Sequence, residues 1–263
     1  MTPKISIITI TYNSAKTVED TIKSVVSQEY TNLEYIIIDG VSKDNTLEIV
    51  RKYEDQITII SSEPDQGISD AFNKGISKAT GEIIGIINSD DILLPGALQM
   101  IADNYDPEVG VYRGNTIVWN PVTNKKYRAI PTMSFSKYAL NVKICHQSTF
   151  VTKGTYEKYG LYKVNYRFMM DADLLSRLSV NNVKMKYLNF DMAVSAAGGV
   201  TDRYSYRDKL SERYDVIVSN GGLRIMAFIV TMFFVLKQII KNSMRMFLSS
   251  DLLKSLKYGA EIQ

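Results

Sequence analysis

The sequence predicts an α/β fold built on a mostly parallel β-sheet, followed by an amphipathic helical tail. Apolar, β-branched runs alternate with helix-like segments over the N-terminal part of the chain. These runs recur at a spacing of roughly 25 to 30 residues, which suits right-handed βαβ crossovers. Their continuous hydrophobicity is typical of strands that are covered on both faces. The 263 residues can form one large domain with an appendage.

Four βα units account for the N-terminal part of the chain. The predicted strands cover residues 4–10, 33–40, 57–64 and 82–88, and the predicted helices cover 14–28, 42–55, 67–81 and 95–105. In the first helix, Val18, Ile22 and Val25 recur at helical intervals behind Ser14, which suits an N-cap. This order predicts a parallel sheet with helices on both faces.

The pattern changes after residue 105. Two β-rich runs around an Asn-Pro-Val-Thr-Asn turn predict a hairpin over 109–131, and 182–197 supplies a later strand. Between them, Leu174, Leu175 and Leu178 predict a helix. We therefore expect a first half at 1–105, a second half of the same domain at 106–205, and a helical tail at 206–263.

The composition is that of an ordinary globular protein with a basic tail. Hydrophobic residues make up 45% of the chain, charged residues 22%, and the net charge is +3. From residue 201 onward there are ten Lys and Arg against six Asp and Glu, so the preceding part carries about −1. This balance does not favour a nucleic-acid partner. The single Cys145 excludes an internal disulfide, and the N-terminus resembles a strand rather than a secretion signal, so we expect a cytoplasmic protein.

Polar residues cluster where the predicted strands end. They are Thr11, Tyr12 and Asn13 after the first strand, Asp39 and Gly40 after the second, Glu63 and Asp65 after the third, and Asn88 to Asp91 after the fourth. Ligands of open parallel sheets bind at the carboxyl ends of the strands. The adjacent Asp90 and Asp91 could form a turn ahead of a helix that starts at Pro95. Alternatively, they could bind a hard divalent cation, which would relieve their repulsion.

Six motifs, in this order, resemble those of the family 2 glycosyltransferases, which are inverting enzymes with a GT-A fold. The motifs are TYN at 11–13, DGVSKDNT at 39–46, DQGISDAFNKG at 65–75, GIINSDD at 85–91, DADLLSRL at 171–178 and AGGVTD at 197–202. Single motifs are weak signals, whereas the ordered set is specific. The resemblance implies a GT-A type nucleotide-binding sandwich over about residues 4–202, with the nucleotide-sugar-binding half at 1–105 and the acceptor-binding half at 106–205. The family's metal motif is often D-x-D or D-D-D, whereas this chain has Asn-Ser-Asp-Asp at 88–91.

The resemblance also implies roles for individual residues. Donor contacts are implied for Thr11, Tyr12, Asn13, Asp39, Gly67, Asp70, Asn73 and Asp90. Asp91 is the implied carboxylate ligand of Mn²⁺ or Mg²⁺, with His146 as a further candidate metal contact, and Asp171 is the implied general base. Each has a simpler alternative, since Asp39 could cap a turn, His146 could be a packing residue and Asp171 could start a helix. Asp173 is the second candidate base.

The tail contains the most apolar segment outside the strands. Residues 225–236 form an uncharged run of twelve residues that is apolar except for Thr231, shorter than the roughly 20 that span a bilayer. Lys237, Lys241 and Arg245 then recur every fourth residue, which predicts a basic amphipathic helix. We expect residues 223–250 to contact the membrane surface peripherally. The alternatives are a helix packed on the catalytic domain and a homodimer interface.

Together these observations predict a metal-dependent inverting glycosyltransferase. The expected donor is a nucleotide-diphosphate sugar, most simply a UDP-sugar, and the expected acceptor is a hydroxyl of a glycan or of a lipid-linked molecule in cell-surface polysaccharide synthesis. We expect hexosyl or N-acetylhexosaminyl transfer at the cytoplasmic face of the inner membrane. The alternatives are a nucleotidyltransferase and a non-catalytic module that binds nucleotide sugars or membranes.

Overall fold

A ten-stranded mixed β-sheet forms the centre of the computed structural model, which describes residues 2–133, 143–196, 206–245 and 261–262. The strands are β1 Ile5–Thr11, β2 Leu33–Asp39, β3 Ile59–Ser62, β4 Ile83–Ile86, β5 Asp91–Leu93, β6 Val111–Asn120, β7 Lys125–Ala129, β8 Thr149–Thr152, β9 Met185–Ala196 and β10 Glu261–Ile262. The helices are α1 Val18–Val26, α2 Thr46–Arg51, α3 Ile68–Lys78, α4 Ala97–Asp103, α5 Lys153–Tyr159, α6 Met170–Val180, α7 Tyr206–Ser219 and α8 Arg224–Arg245. Short 3₁₀ turns lie at Glu54–Gln56 and His146–Ser148.

The N-terminal half is the parallel part of the sheet. β1 pairs with both β2 and β4, β2 pairs with β3, and all these pairings are parallel. The register places Thr11 beside Asp39 and Asp39 beside Ser62. The four predicted βα units are confirmed, and their carboxyl ends meet at one edge of the sheet.

The second half joins this sheet mainly by antiparallel pairing. β8 pairs with β4, β6 pairs with β8, and β6 and β7 form the predicted hairpin, all antiparallel. β9 runs parallel to β6 and antiparallel to β5. Parallel pairing is therefore concentrated in the N-terminal half. The sequence did not predict β8 or α5.

Helices cover both faces of the parallel strands. Ile5 and Ile7 of β1 belong to a buried cluster that includes residues of α1 and α4, whereas Ile8 belongs to the opposite cluster, with residues of α3 and α6. Successive strand residues point to opposite faces. The continuously apolar strands are thus explained by two cores, one on each side of the sheet.

The stretch after β4 differs from the predicted turn into a helix. Asp91 begins β5, which pairs with β9 where Asp91 lies opposite Ser195. α4 starts only after Gly96, whose φ of +79° suits glycine. Pro95 therefore precedes the helix instead of occupying its first position. The helix starts later than predicted because residues 91–93 pair with β9, which lies far away in the sequence.

The described part of the predicted tail contains two helices, α7 and α8, which have different surroundings, and the short strand β10. Val216 of α7 is buried in the same cluster as residues of α3 and α6, so this helix packs on the domain that contains them. α8 packs on α7 through Ala227 and Val230, and Arg213 of α7 lies 4.1 Å from the ring centroid of Phe234. The described helices, α8 included, all fall short of the length and apolarity that a membrane crossing requires. Residues 246–250 of the predicted membrane segment lie outside the described residues.

Candidate functional site

The loops after β1 and β2 form one wall of the candidate site. Tyr12 is 60% exposed at this edge. Asn13 has a φ of +51°, its backbone N–H donates to Ser42 Oγ at 2.9 Å, and its Oδ1 accepts from the Lys43 N–H at 2.8 Å. The two loops are therefore tied together. A Cβ at Gly40 would lie 2.5 Å from Asp65 Oδ2 and 3.4 Å from the Tyr12 ring, so this wall has no room for a larger residue.

Asp39 is buried beneath these loops with both carboxylate oxygens occupied. Oδ1 accepts from Thr11 Oγ1 at 2.9 Å and from Ser42 Oγ at 2.5 Å. Oδ2 accepts from the Ser42 N–H at 3.0 Å and from Ser62 Oγ at 2.7 Å. Burial alone would raise the pKa of this carboxyl, but the hydrogen bonds outweigh it and lower the pKa. These bonds give Asp39 and Thr11 a structural role in joining β1, β2 and β3, and a donor contact stays a prediction.

The residues after β4 place two carboxylates in opposite environments. Asp90 is exposed, whereas Asp91 is buried. Asp91 Oδ1 accepts from Gln147 Nε2 at 3.3 Å, but Asp91 Oδ2 is buried with no hydrogen-bond partner among the described residues. Burial raises the pKa of Asp91 to about 6. Asn88 Oδ1 is likewise buried and has no partner in the described part of the chain.

His146 lies between the β4 loop and helix α6. Its Nε2 is 2.9 Å from Asn88 Nδ2, and its Nδ1 is 3.9 Å from Asp171 Oδ2. When the Asn88 amide donates to Nε2, the ring proton sits on Nδ1 and faces Asp171. The imidazole also packs at 6.2 Å, centroid to centroid, from the Phe72 ring. Both ring nitrogens thus face protein groups.

Asp171 and Asp173, on the first turn of α6, differ in how they are bonded. Asp171 lines a small cleft with His146, and its Oδ1 is buried without a partner among the described residues. Burial raises the pKa of Asp171, and the His146 ring and the Arg113 cation partly oppose the rise. Asp173 is fully buried and is bonded by Lys163 at 2.9 Å, Arg177 at 3.2 Å and Asn220 at 3.2 Å. Asp171 is therefore the carboxylate that is open to a ligand.

The three predicted donor-binding residues around α3 are placed differently. Gly67, with a φ of +116°, precedes α3 and lines a cleft of about 230 Å³ against the loop before α6. Asp70 accepts from the Gln66 N–H at 3.0 Å and pairs with Lys74 at 3.2 Å. Asn73 bonds the backbone of Tyr162 with both ends of its amide, at 2.8 and 3.0 Å. Through this reciprocal contact Asn73 holds the loop at Tyr162 against α3, and its donor contact stays a prediction.

Sequence reasoning missed two residues that shape the site. Arg113 is fully buried and donates to Thr149 Oγ1 at 3.2 Å, to the Lys143 carbonyl at 3.3 Å, and to the carbonyls of Thr132 and Ile144. Gln147, beside His146, bonds Asp91 and Ser195. Arg113 therefore fixes the loop that carries His146 and Gln147. An arginine within a predicted strand can be seen in the sequence. Its role could not be predicted, because its hydrogen-bond partners lie 19 to 36 residues away along the chain.

The oxygen atoms near Asp91 fit a hard divalent cation. Asp91 Oδ2 and Asn88 Oδ1 are buried, unpartnered and of the donor type that Mg²⁺ and Mn²⁺ prefer. Within the described ranges, His, Cys, Asp and Glu side chains form no cluster of three or more that could hold a metal. A cation here would rely on one or two protein oxygens together with ligand phosphates, which suits these ions. The predicted motif at 197–202 lies outside the described residues.

Comparison with solved structures identifies the fold. The S. aureus protein TarS, solved in complex with UDP-GlcNAc, matches with a TM-score of 0.68 at 18% identity, over 88% of this chain and 71% of that chain. The mannosyltransferase PcManGT from Pyrobaculum calidifontis, in complex with GDP-Man and Mn²⁺, matches with a TM-score of 0.61 at 17% identity, over 84% of this chain and 63% of that chain. The expected GT-A fold is confirmed.

Sequence comparison agrees with the motifs. A PGL/p-HBAD biosynthesis glycosyltransferase of Mycobacterium tuberculosis is 28% identical over 185 residues, covering 68% of this chain and 71% of the relative. The putative teichuronic acid biosynthesis glycosyltransferase TuaG of Bacillus subtilis is 36% identical over 92 residues, or 34% of this chain and 36% of the relative. The family model for glycosyl transferase family 2 matches residues 6–160. This match covers more than half of the chain, so the protein belongs to glycosyl transferase family 2 and is a glycosyltransferase.

Proposed function

We propose that this glycosyltransferase is metal-dependent and inverting, and that it moves a sugar from a UDP-sugar to a hydroxyl of a glycan or lipid-linked acceptor. One observation carries the proposal: buried oxygens of Asn88, Asp91 and Asp171 have no partners among the described residues, at the edge where all four parallel strands end. Buried polar atoms are usually satisfied. Three unsatisfied oxygens at a ligand-binding edge therefore favour a site that is completed by its substrates.

Asp91 is proposed to hold the cation at the donor side, with Asn88 beside it. A bound Mn²⁺ or Mg²⁺ would neutralise charge that develops on the leaving diphosphate. The exposed Asp90 is proposed to contact the ribose. Tyr12 offers an exposed ring on which the base can stack, next to Asn13.

Asp171 is proposed to act at the acceptor side as the general base. Its carboxylate would take the proton from the acceptor hydroxyl while that oxygen attacks the anomeric carbon from the face opposite the leaving diphosphate. Attack from that face inverts the anomeric configuration. The raised pKa of Asp171 strengthens it as a proton acceptor, because a more basic carboxylate binds the proton more favourably.

His146 is proposed to orient Asp171. The Nδ1 position, 3.9 Å from Asp171 Oδ2, places the ring beside the base, and Asn88 holds the other nitrogen. The predicted role as a metal contact requires Nε2 to leave Asn88. We therefore retain the metal role of His146 only as the second assignment.

Relatives support the substrate classes. TarS was solved with UDP-GlcNAc and PcManGT with GDP-Man and Mn²⁺, so donors of this kind and a divalent ion occur in this fold. TuaG is described as a teichuronic acid biosynthesis enzyme, which favours a polysaccharide acceptor. The family assignment sets aside the nucleotidyltransferase alternative. The single free Cys145 favours a reducing compartment, and we propose the cytoplasmic face of the inner membrane.

A donor screen tests this proposal. UDP- and GDP-sugars are added with Mn²⁺, with Mg²⁺ and with EDTA, and thermal stabilisation is measured. We expect UDP-sugars to stabilise the protein only with the cation, because ligands that bind the native state raise its melting temperature. The anomeric configuration of the product, read by NMR, should be inverted. Retention of configuration, or equal stabilisation in EDTA, would contradict the mechanism.

We also propose that α8 docks on an anionic bilayer. Its large apolar side chains are exposed on the side opposite the packing residues Ala227 and Val230; they are Ile225, Phe228, Ile229, Met232, Phe233, Leu236, Ile239 and Ile240. The helix sequence has four basic residues and no acidic residue. An apolar face combined with basic residues suits an anionic lipid surface better than it suits a second copy of the same cationic helix. Docking would bring the site to a lipid-linked acceptor.

Vesicle sedimentation tests this docking. Full-length protein should pellet with anionic vesicles and much less with neutral ones, and the double variant Ile229→Glu, Phe233→Glu should stay in the supernatant. Val122→Glu adds one such charge at an exposed apolar residue of the β6–β7 turn, and it is the control for the single variants Ile229→Glu and Phe233→Glu. Point variants are preferable to truncation, because β10 beyond α8 pairs with β7. A dimer that persists without lipid, together with no vesicle binding, would favour the homodimer alternative.

A further inference from the structure

A carboxylate from α7 binds the start of the helix that carries Asp171. Glu212 is buried, and its two oxygens accept hydrogen bonds from three consecutive backbone amides. Oε1 accepts from the Arg167 N–H at 2.9 Å, and Oε2 accepts from the N–H groups of Phe168 at 2.8 Å and Met169 at 2.9 Å. Met169 is the N-cap of α6 and supplies no side-chain cap of its own. Glu212 therefore caps α6 from outside the helix: it bonds the amide of the N-cap residue Met169 and the two amides before it, and not the amides of the first helical residues.

This cap differs from an ordinary one in its origin. The first amides of a helix lack intrahelical partners, and a carboxylate there also complements the helix dipole. A local cap fixes only its own turn, whereas Glu212 comes from 43 to 45 residues further along the chain. A second contact comes from the residue that follows α7, since Asn220 Nδ2 donates to Asp173 Oδ1 at 3.2 Å. The position of α6 is thus set by α7.

Asp171 depends on this backbone anchor more than its neighbour does. Its Oδ1 has no hydrogen-bond partner in the described part of the chain, and Oδ2 is 3.9 Å from the His146 ring, so the Tyr162 hydroxyl is the neighbour that supports this carboxyl. Asp173 is held instead by its own ion pairs. Asp171 is the second residue of α6, two positions after Met169. Its carboxylate can therefore be placed accurately only if the first turn is fixed.

We propose that Glu212 is a positioning residue for glycosyl transfer, which holds the first turn of α6 so that Asp171 meets the acceptor hydroxyl. The inference rests on the proposed role of Asp171. Small displacements of a reacting group lower the rate steeply. Loss of the cap should therefore reduce turnover while leaving donor binding intact, because the donor-side residues lie on other elements.

The test compares Glu212→Gln with Asp215→Asn. Asp215 is an exposed carboxylate on the same helix, so its variant removes the same charge without touching α6. We expect Glu212→Gln to lower kcat by about tenfold or more, to keep UDP and Mn²⁺ affinity within about twofold, and to speed hydrogen exchange at the amides of 167–169. Asp215→Asn should change none of these. Wild-type kcat in Glu212→Gln would overturn the proposal.

A double variant separates positioning from general loss of structure. If Glu212 acts through Asp171, adding Glu212→Gln to Asp171→Asn should cause no further loss of transfer. A full additional loss would mean that Glu212 only supports the fold, and the proposal would fail. If Glu212→Gln does not fold, Glu212→Asp keeps the charge but withdraws the oxygens, and the same measurements apply. Full activity in Asp171→Asn alone would refute the assignment of Asp171 as the general base. This result differs from failure of the Glu212 proposal, in which Asp171→Asn is inactive but Glu212→Gln keeps wild-type kcat.

Discussion

Glu34 and Asp91, at opposite ends of the parallel strands, are buried in opposite ways, whereas Asp39 at the carboxyl end is fully bonded as Glu34 is. At the amino end, Glu34 is bonded by Lys4 at 3.0 Å, Ser6 at 2.5 Å and Thr80 at 2.6 and 2.7 Å, and these bonds overcome burial and lower its pKa to about 2. At the carboxyl end, Asp91 keeps one oxygen without a partner among the described residues, and burial raises its pKa to about 6. The amino end has the geometry of a structural ion pair, and the carboxyl end that of a binding site.

The contrast has consequences for stability. A lowered pKa means that folding favours the charged carboxylate, so Glu34 stabilises the protein above the unfolded pKa and loses this effect as the pH falls. A raised pKa means the reverse, so Asp91 favours folding only when protonated and loses that effect as the pH rises through about 6. Near neutral pH the ionised Asp91 therefore lowers the free energy of unfolding, whereas the ionised Glu34 raises it. Such a cost is typical of functional sites.

The largest expected effect is on activity at the carboxyl end. Asp171→Asn should reduce transfer by roughly 10² to 10⁴, the usual contribution of a positioned general base. Its melting temperature should stay the same or rise, because a neutral amide replaces a carboxylate whose ionisation is disfavoured by burial. Transfer rate and thermal unfolding of the same preparation check both parts. Near-wild-type transfer would remove Asp171 from the mechanism.

Asp173, two residues further along α6, should behave in the opposite way. Asp173→Asn should lower the free energy of unfolding by roughly 3–5 kcal/mol, because it leaves Lys163 and Arg177 without their buried anion. Urea unfolding measures the loss. A variant as stable as the wild type would show that the ion pairs contribute little.

The contribution of Glu34 to stability should depend on pH. Glu34→Gln should cost about 2–3 kcal/mol at pH 7, and the cost should shrink as the pH falls from about 4.5 toward 2, where the wild-type carboxylate becomes protonated. Donor binding should not change. Glu48→Gln, at an exposed residue of α2, is the matched control. A pH-independent difference in unfolding free energy would argue against an ionised Glu34.

The smallest expected effect is at Asp90. Because this side chain is exposed, its proposed ribose contact should add only a modest hydrogen bond. Asp90→Asn should weaken donor binding by about two- to tenfold and leave stability unchanged. Calorimetric titration with UDP and Mn²⁺ measures the change. A larger loss than that of Asp91→Asn would exchange the roles of the two carboxylates.

The sequence predicted the features that depend on local pattern. The four βα units follow from hydrophobic periodicity, and their common order brings Tyr12, Asp39 and Asp91 to one edge. The pairing of β5 with β9 was not predictable, because neither strand has a local signal for the other. For the same reason the sequence did not reveal that Arg113 fixes the His146 loop or that Glu212 caps α6, since all their partners are distant in the chain.

Mn²⁺-dependent donor binding by Asp91→Asn is the most direct test of the proposed metal site. Asp91 is proposed to be kept partly unbonded so that it can hold a cation for the donor diphosphate. We expect Asp91→Asn to raise the melting temperature of the metal-free protein and to abolish the gain in UDP affinity that Mn²⁺ gives the wild type, while Glu48→Gln changes neither. An unchanged Mn²⁺ dependence in Asp91→Asn, measured by calorimetry, would contradict it.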